Sequence, residues 1–182
     1  MNEKELNKIA KKIKLIALDN DGVLTDGHVY INDHSRGRSL QHLGVTKSYD
    51  IRDGLGIIMA RNAGITFAII TGLKSPIVEE RARQLGIEEV HQALFDKSDV
   101  LKNLLVRYKL EYHEAAYMGD DIIDIPVFSE VGLSAAPANA HAEVVSEAKW
   151  VATKNGGYGA VREMIDLILS SQGKQGDFVK GG

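Results

Sequence analysis

Cysteine is absent from the 182-residue sequence, and this absence excludes several kinds of chemistry at once. Without thiols there is no disulfide, no thiolate metal site and no cysteine nucleophile. The absence also fits a reducing compartment, so we expect a cytoplasmic protein.

Long apolar runs and a surplus of positive charge are missing as well. No apolar run reaches the ~18 residues that a membrane span needs, and the first residues, Met1–Lys14, lack the apolar stretch of a signal peptide. Lysine and arginine number 22 against 25 aspartate and glutamate, which gives a formal charge of −3. We therefore expect neither nucleic acid nor a membrane as a partner.

The sequence does contain a regular alternation of short apolar runs and amphipathic stretches. This alternation predicts an α/β fold, a three-layer open parallel sheet that binds its ligand beyond the carboxyl ends of the strands. The predicted strands are Ile13–Leu18, Ile65–Ile70, Val90–Ala93, Ala115–Met118, Gly132–Ala135 and Lys149–Ala152. The predicted helices are Gly54–Asn62, Pro76–Leu85, Lys97–Tyr108, Ile122–Glu130, Asn139–Ala148 and Gly159–Leu169.

One stretch near the start departs from this alternation. Two strand-like segments, His28–Ile31 and Thr46–Ile51, are joined by the polar segment Asn32–Gly44. We expect a β-hairpin here, at about residues 28–51, inserted into a single domain of residues 1–170. Residues 171–182 are predicted to form a flexible tail.

Two carboxylates follow the first predicted strand, in the segment Asp19-Asn20-Asp21-Gly22. Residues at i and i+2 on an extended chain point the same way, so both side chains can converge on one metal ion or one substrate. Taken alone, the segment is better explained as a turn, because Asp, Asn and Gly all favour turns.

A strand-end threonine and a lysine add phosphate-binding groups. Thr71 and Gly72 end the second strand of the main sheet, where a hydroxyl and the following amides can bind a phosphoryl oxygen. Lys97 opens a helix and can neutralise phosphate charge. Each is weak alone, since Thr-Gly is a common turn and such a lysine is usually solvated.

A second acidic cluster, Gly119-Asp120-Asp121-Ile122-Ile123-Asp124, follows a later buried strand. A helix N-terminus would account for one or two of these acids, but all three are costly unless a cation compensates them. Carboxylate oxygens suit Mg²⁺, which also binds substrate phosphate. Together with the strand-end D-x-D, the cluster predicts phosphoryl transfer to an aspartate.

In this order the segments resemble the haloacid dehalogenase superfamily of phosphotransferases, and within it the 3-deoxy-D-manno-octulosonate 8-phosphate phosphatases. The resemblance implies a fold with no separate cap domain, hydrolysis of a sugar-acid phosphate in lipopolysaccharide biosynthesis, Mg²⁺ as cofactor, and a homotetramer assembled through the hairpin. It rests on DNDGVLTDG from Asp19, IRDGLGI from Ile51, IITG from Ile69, YMGDDIIDIPV from Tyr117, VGLSAAPANAHA from Val131, GGYGAVRE from Gly156 and QGK from Gln172.

The same resemblance implies the catalytic roles. Asp19 would attack phosphorus, while Asp21 would protonate the leaving alkoxide and then activate water. Thr71 and Lys97 would hold the phosphoryl oxygens. Mg²⁺ would be bound by the carboxylates of Asp19 and Asp120 and by the backbone carbonyl of Asp21.

Three polar residues have supporting roles in this interpretation. Asp124 would orient Lys97 or a metal-bound water, and Asp121 is a weaker candidate for such a role. Arg52 can reach the substrate, although a salt bridge explains it equally well.

Departures from the family pattern leave the substrate open. Leu73, followed by Lys74, stands where family members often carry an arginine suited to a sugar-acid carboxylate. Val45 replaces an acidic residue two positions before Lys47, and the hairpin loop is longer than usual. A phosphatase for another sugar acid, such as a nonulosonate 9-phosphate, is therefore the alternative. Outside enzymes, the alternatives are a receiver-like phosphoacceptor and a non-catalytic oligomerisation module.

Overall fold

The computed structural model describes residues 1–33, 43–94 and 96–175. In this part of the chain one large sheet and one two-stranded hairpin form. The strands are β1 (Leu15–Leu18), β2 (Tyr30–Asp33), β3 (Leu43–Thr46), β4 (Thr66–Ile70), β5 (Glu89–His91), β6 (Ala115–Met118), β7 (Leu133–Ala136) and β8 (Trp150–Val151). The large sheet has the order β5-β4-β1-β6-β7-β8, and all its pairings are parallel.

Helices cover both faces of this sheet, so the predicted three-layer α/β fold is confirmed. They are α1 (Glu3–Ala10), α2 (Ile51–Asn62), α3 (Pro76–Leu85), α4 (Lys97–Tyr108), α5 (Ile125–Phe128), α6 (Ala142–Glu147) and α7 (Ala160–Ser171). Short 3₁₀ turns occupy Tyr112–Glu114 and Ile122–Asp124.

The central strand β1 is buried on both faces. Ile16 and Leu18 pack with α1, α2, α3 and α7, whereas Leu15 and Ala17 pack with α4, α5 and α6. Because neither face meets water, the strand is apolar at every position instead of at alternate positions. The core therefore fixes β1 rigidly, and with it the polar residues that follow its carboxyl end.

Cap residues set the helix boundaries, and α3 shows this most directly. The Ser75 side chain accepts a hydrogen bond from Ile77 N at 3.3 Å, and Pro76 occupies the first turn. Gly86 ends the helix with a φ of 67°, in the left-handed region that favours glycine. The predicted helix is confirmed at both ends.

The hairpin prediction was partly wrong in its boundaries. The second strand is Leu43–Thr46 and not Thr46–Ile51, and Ile51 is already the first residue of α2. The reason is Asp50, whose side chain accepts a hydrogen bond from Arg52 N at 2.7 Å and so caps α2 three residues earlier than predicted. The connecting segment 34–42 lies outside the described residues.

The predicted helix Ile122–Glu130 was also wrong in form. Residues 122–124 make a 3₁₀ turn, and α5 runs only from Ile125 to Phe128. Pro126 has no N–H and can enter a helix only in its first turn, so a new helix begins there. Similarly, α6 begins at Ala142 instead of Asn139, because His141 caps it.

The chain after α7 is anchored at the amino-terminal edge of the sheet. Gln172 Nε2 donates to Ile13 O at 2.7 Å, and Lys174 Nζ donates to Ala63 O at 2.8 Å. Residues 176–182 lie outside the described residues, so the tail boundary stays a prediction. No helix in the described ranges is both long and apolar enough to cross a membrane.

Candidate active site

The carboxyl ends of three neighbouring strands bring the predicted site residues together. Because β4, β1 and β6 are adjacent, Thr71, Asp19 and Asp120 follow their strands at the same edge of the sheet. A cavity of about 340 Å³ opens there. It is lined by Asp19, Asp21, Gly27, Thr71, Gly72, Leu73, Asp120, Asp121 and Ile123.

A wide turn, Asn20–Leu24, carries the first two acids. Asp19 Oδ1 accepts a hydrogen bond from Asn20 N at 2.6 Å, and Thr25 N closes the turn by donating to Asn20 O at 3.0 Å. Gly22 has a φ of +85°, and a Cβ on it would lie 1.9 Å from Asp120 Oδ2. Glycine is therefore required both by the backbone and by the close approach of the second acidic segment.

Lys97 is buried between two acids. Its Nζ lies 3.0 Å from Asp19 Oδ2 and 2.7 Å from Asp124 Oδ1. Burial opposes the charge of the ammonium group, but the two carboxylates outweigh it and raise the pKa of Lys97. Lys97 therefore carries a fixed positive charge beside Asp19.

Asp124 uses both of its oxygens inside the protein. Oδ1 accepts from Lys97 and from the Tyr117 hydroxyl, the latter at 2.6 Å. Oδ2 accepts from Asp120 N at 3.0 Å and Asp121 N at 3.2 Å. This carboxylate therefore orients both Lys97 and the acidic loop. Orienting Lys97 was one of the two roles predicted for Asp124.

The carboxylates at this edge of the sheet form a group that could bind a divalent cation. Oxygens of Asp19, Asp120 and Asp124 lie within 4.8 Å of one another, and Asp120 Oδ1 is buried without a hydrogen-bond partner in the described ranges. Since Asp124 is fully engaged, Asp19 and Asp120 are the carboxylates available to a metal ion. All-oxygen ligands with excess negative charge suit Mg²⁺.

The pKa values reflect the same excess of negative charge. Burial, followed by the charges of Asp19 and Asp124, raises the pKa of Asp120 to about 8. Burial also raises the pKa of Asp19 to about 6, although Lys97 counteracts part of that effect. The positive charge of Lys97 alone does not neutralise the negative charge of these carboxylates, whereas a bound cation would.

Two predicted residues stand apart from the cavity's centre. Arg52 is exposed, pairs with Asp50 through Nη2 and Oδ2 at 2.6 Å, and donates to Tyr158 O at 3.1 Å. Asp121 lines the cavity, but its carboxylate caps Ile122 N at 2.7 Å. A substrate role for Arg52 and a supporting role for Asp121 both stay predictions.

Sequence reasoning missed how a distant glycine segment supports the catalytic turn. A Cβ on Gly156 would lie 1.7 Å from Gly22 O, and Gly157 N donates to Val23 O at 3.0 Å. Asp53 holds this segment by accepting from Gly159 N at 3.3 Å. The IRDGLGI and GGYGAVRE segments therefore contact each other and support the turn.

A second residue was missed, Lys47, which forms an ion pair with Asp21 Oδ1. It lies between the hairpin and α2, in a segment that was predicted as a strand, and nothing in that prediction indicated a contact with Asp21. The two acids of the D-x-D turn therefore each have a buried lysine as a partner, Lys97 for Asp19 and Lys47 for Asp21.

The class defined by this edge of the sheet is an aspartate-dependent hydrolase, and comparison with known proteins agrees. The chain belongs to the haloacid dehalogenase-like hydrolases, whose family model matches residues 83–165. A curated relative, the 3-deoxy-D-manno-octulosonate 8-phosphate phosphatase KdsC of Escherichia coli strain K12, is 42% identical over 165 residues. That match covers 91% of this chain and 84% of the relative. The resemblance predicted from the motifs is confirmed.

Solved structures show the same similarity. The 3-deoxy-D-manno-octulosonate 8-phosphate phosphatase from Moraxella catarrhalis, in complex with magnesium ion, phosphate ion and KDO, matches with a TM-score of 0.90 and 35% identity, covering 98% of both chains. The cobalt-bound phosphatase YrbI from Haemophilus influenzae matches with a TM-score of 0.83 and 37% identity. This second match covers 93% of this chain and 95% of the other.

Proposed function

We propose that this protein hydrolyses 3-deoxy-D-manno-octulosonate 8-phosphate to 3-deoxy-D-manno-octulosonate and phosphate, as a step of lipopolysaccharide biosynthesis. The observation that carries the proposal is the convergence of Asp19, Asp21 and Asp120 on one cavity. This convergence occurs in a chain 42% identical to a phosphatase of that name. A receiver-like phosphoacceptor would carry its phosphorylated aspartate at the end of a middle strand, but here β4 is followed by Thr71. A non-catalytic oligomerisation module would need none of these acids.

The first half of the reaction uses Asp19 as the nucleophile. One of its oxygens bonds to phosphorus while the bond from phosphorus to the sugar oxygen breaks, which leaves an aspartyl-phosphate. Thr71 and Gly72, in the wall of the cavity, bind phosphoryl oxygens. Lys97, 3.0 Å from Asp19 Oδ2, offsets negative charge on the transferred group.

Asp21 acts in both halves of the reaction, as the acid in the first half and as the base in the second. This residue first gives its proton to the departing sugar oxygen, and its carboxylate then takes a proton from water. The water oxygen attacks phosphorus, which releases phosphate and restores Asp19. The carboxylates of Asp19 and Asp120 and the carbonyl of Asp21 would hold Mg²⁺, whose positive charge stabilises the phosphoryl group in transfer.

A second substrate is favoured by one specific observation. Leu73 lines the cavity and is 59% exposed, at a position where the resemblance predicts an arginine for the substrate carboxylate. A nonulosonate 9-phosphate carries its carboxylate at a different distance from the phosphate, so it is the alternative substrate.

A phosphate-release assay over a panel of phosphoesters tests both substrates. The panel contains the octulosonate 8-phosphate, a nonulosonate 9-phosphate and simple sugar phosphates, each with Mg²⁺ and with chelator. We expect the highest kcat/KM for the octulosonate 8-phosphate, and none with chelator or for Asp19→Asn. A higher kcat/KM for the 9-phosphate would transfer the assignment to the alternative, and no release from any ester would overturn the proposal.

The predicted homotetramer is part of the same proposal. Val29, Ile31 and Val45 on the hairpin are 59%, 65% and 48% exposed, which is costly for aliphatic side chains unless another subunit covers them. Sedimentation velocity should give four chains per particle, and Ile31→Asp should reduce that number. A monomeric wild-type protein would contradict the tetramer. A cytoplasmic location stays a prediction.

A further inference from the structure

Lys47 connects the hairpin region to the catalytic turn. It follows β3 directly, and its side chain is only 6% exposed although it carries a charge. Its Nζ forms an ion pair with Asp21 Oδ1. Within the described ranges, the wall of the cavity includes Asp21 and not Lys47. A buried lysine that contacts the acid, without lining the cavity, acts on the acid and not on the substrate.

The two oxygens of Asp21 have different surroundings. Oδ1 accepts from Asn20 Nδ2 at 2.9 Å and also binds Lys47. Oδ2 is buried, and no described residue forms a hydrogen bond to it. The carboxyl group is therefore held through Oδ1, which has two partners, while Oδ2 has almost no accessible surface and is bound by no described residue.

Tyr49 orients Asn20, which is the second residue bound to Asp21 Oδ1. Its hydroxyl donates to Asn20 Oδ1 at 3.2 Å, so the amide nitrogen of Asn20 must face Asp21. The Arg81 guanidinium lies over the Tyr49 ring, 5.4 Å from its centroid. A backbone bridge also joins Tyr49 to Thr25 at the end of the catalytic turn.

We propose that Lys47 is a positioning residue for Asp21, which holds the carboxyl group through Oδ1 in the orientation required for proton transfer to the leaving sugar oxygen. Tyr49 supports the same orientation through Asn20. This inference rests on the proposed function in one respect, because it takes Asp21 to be the acid and base of the reaction.

The leaving group provides a way to test this positioning. A sugar alkoxide is a poor leaving group and requires a proton as it departs, whereas p-nitrophenolate leaves readily without one. General acid catalysis contributes about 10²–10⁴-fold where it is needed. A mispositioned acid should therefore slow the alkyl ester and largely spare the aryl ester.

The experiment compares Lys47→Met with the wild type on two esters, the best alkyl phosphate of the panel and p-nitrophenyl phosphate. kcat/KM is the quantity to compare, because it reports the steps up to formation of the aspartyl-phosphate and excludes its hydrolysis. We expect a loss of about 10–100-fold on the alkyl phosphate and less than about 3-fold on the aryl phosphate. Lys47→Arg, which keeps a charged donor, should recover part of the loss.

Two further variants keep the test informative if Lys47→Met folds poorly. Tyr49→Phe removes only the hydroxyl that orients Asn20, and it should give a smaller loss with the same dependence on the leaving group. Lys14→Met is the matched control. It removes a lysine whose Nζ lies 2.6 Å from Glu114 Oε1 at the opposite edge of the sheet, and it should change neither ester.

Equal losses on both esters for Lys47→Met, or no loss on either, would overturn the inference. Asp21→Asn separates this failure from failure of the proposed function. If Asp21→Asn loses activity with a strong dependence on the leaving group and Lys47→Met does not, only the positioning role is wrong. If Asp21→Asn shows no such dependence, the assignment of Asp21 as the acid is itself wrong.

Discussion

Lys97 and Asp124 form an ion pair with no exposed side-chain surface, with Nζ 2.7 Å from Oδ1. The same lysine contacts Asp19, so removing its charge leaves two buried carboxylates without compensation. We expect Lys97→Met to lower the free energy of unfolding in chelator by about 3–5 kcal/mol, besides abolishing hydrolysis. Urea denaturation measures the first effect and phosphate release the second.

A double variant serves as the control for this prediction. Lys97→Met with Asp124→Asn removes one charge of each sign, so it should recover part of the stability and none of the activity. An unfolding midpoint for Lys97→Met equal to that of the wild type would show that the ion pair makes no net contribution to stability.

Magnesium binding should depend on pH through Asp120. Burial and the neighbouring acids raise the pKa of this carboxyl group to about 8, so below that pH the ion must displace a proton. The apparent Mg²⁺ affinity should therefore rise towards tenfold per pH unit up to about pH 8 and then level off. Calorimetric titrations in buffers of different ionisation enthalpy would detect the released proton, and an affinity independent of pH would contradict the prediction.

The stability of the metal-free protein should change in the opposite sense. The pKa of Asp120 is higher in the folded than in the unfolded chain, so the folded state gains stability from the bound proton at low pH. That contribution is lost as the pH rises through about 8. Thermal melts in chelator should show a melting temperature that declines between the unfolded-state pKa of 3.8 and about pH 8. This decline should be weaker in Asp120→Asn. A decline of equal size in the variant would assign it to other groups.

Gly22→Ala should abolish activity because the new Cβ would collide with Asp120. Gly64→Ala is the matched control, since Gly64 has a φ of +88° and a Cβ there would meet nothing within 4 Å. Both variants carry a backbone cost of about 1–2 kcal/mol, but only Gly22→Ala should lose Mg²⁺ binding and hydrolysis. Comparable activity in the two variants would show that the acidic loop can move aside.

Asp53 should matter for stability because it caps α7 from the neighbouring helix. It accepts from Gly159 N at 3.3 Å and from Arg162 N at 2.7 Å. Asp53→Ala should lower the free energy of unfolding by about 1–2 kcal/mol. Asp166→Ala removes a half-exposed acid paired with Arg162 on α7, and it should change stability by less than about 0.5 kcal/mol. Equal effects would contradict a specific role for the cap.

The sequence predicted those parts of the site that follow from strand ends. In a parallel sheet the carboxyl ends of adjacent strands share one edge, so apolar runs ending in Asp19, Thr71 and Asp120 already imply proximity. The contact between Lys97 and Asp124 was one of two tasks expected for Asp124, and the structure shows it.

Other contacts have no local pattern in the sequence. Lys47 and Tyr49 reach Asp21 and Asn20 from a segment that was predicted as a strand. The period of two places both side chains on one face but does not indicate what that face contacts. The need for glycine at Gly156 arises from the approach of Gly22 O, a contact between residues far apart in the sequence. Such requirements become visible only when the backbone is folded.

The packing of Gly156 and Gly157 against the catalytic turn has a consequence for how natural variants should be interpreted. A Cβ at Gly157 would lie 2.4 Å from Asp26 N, and one at Gly156 would displace the carbonyl of Gly22. A saturation scan should therefore find a second set of intolerant positions at Gly156 and Gly157, residues that have no side chain. Alleles there would disable turnover while leaving every reacting group intact, and a filter based on catalytic residues alone would class them as harmless.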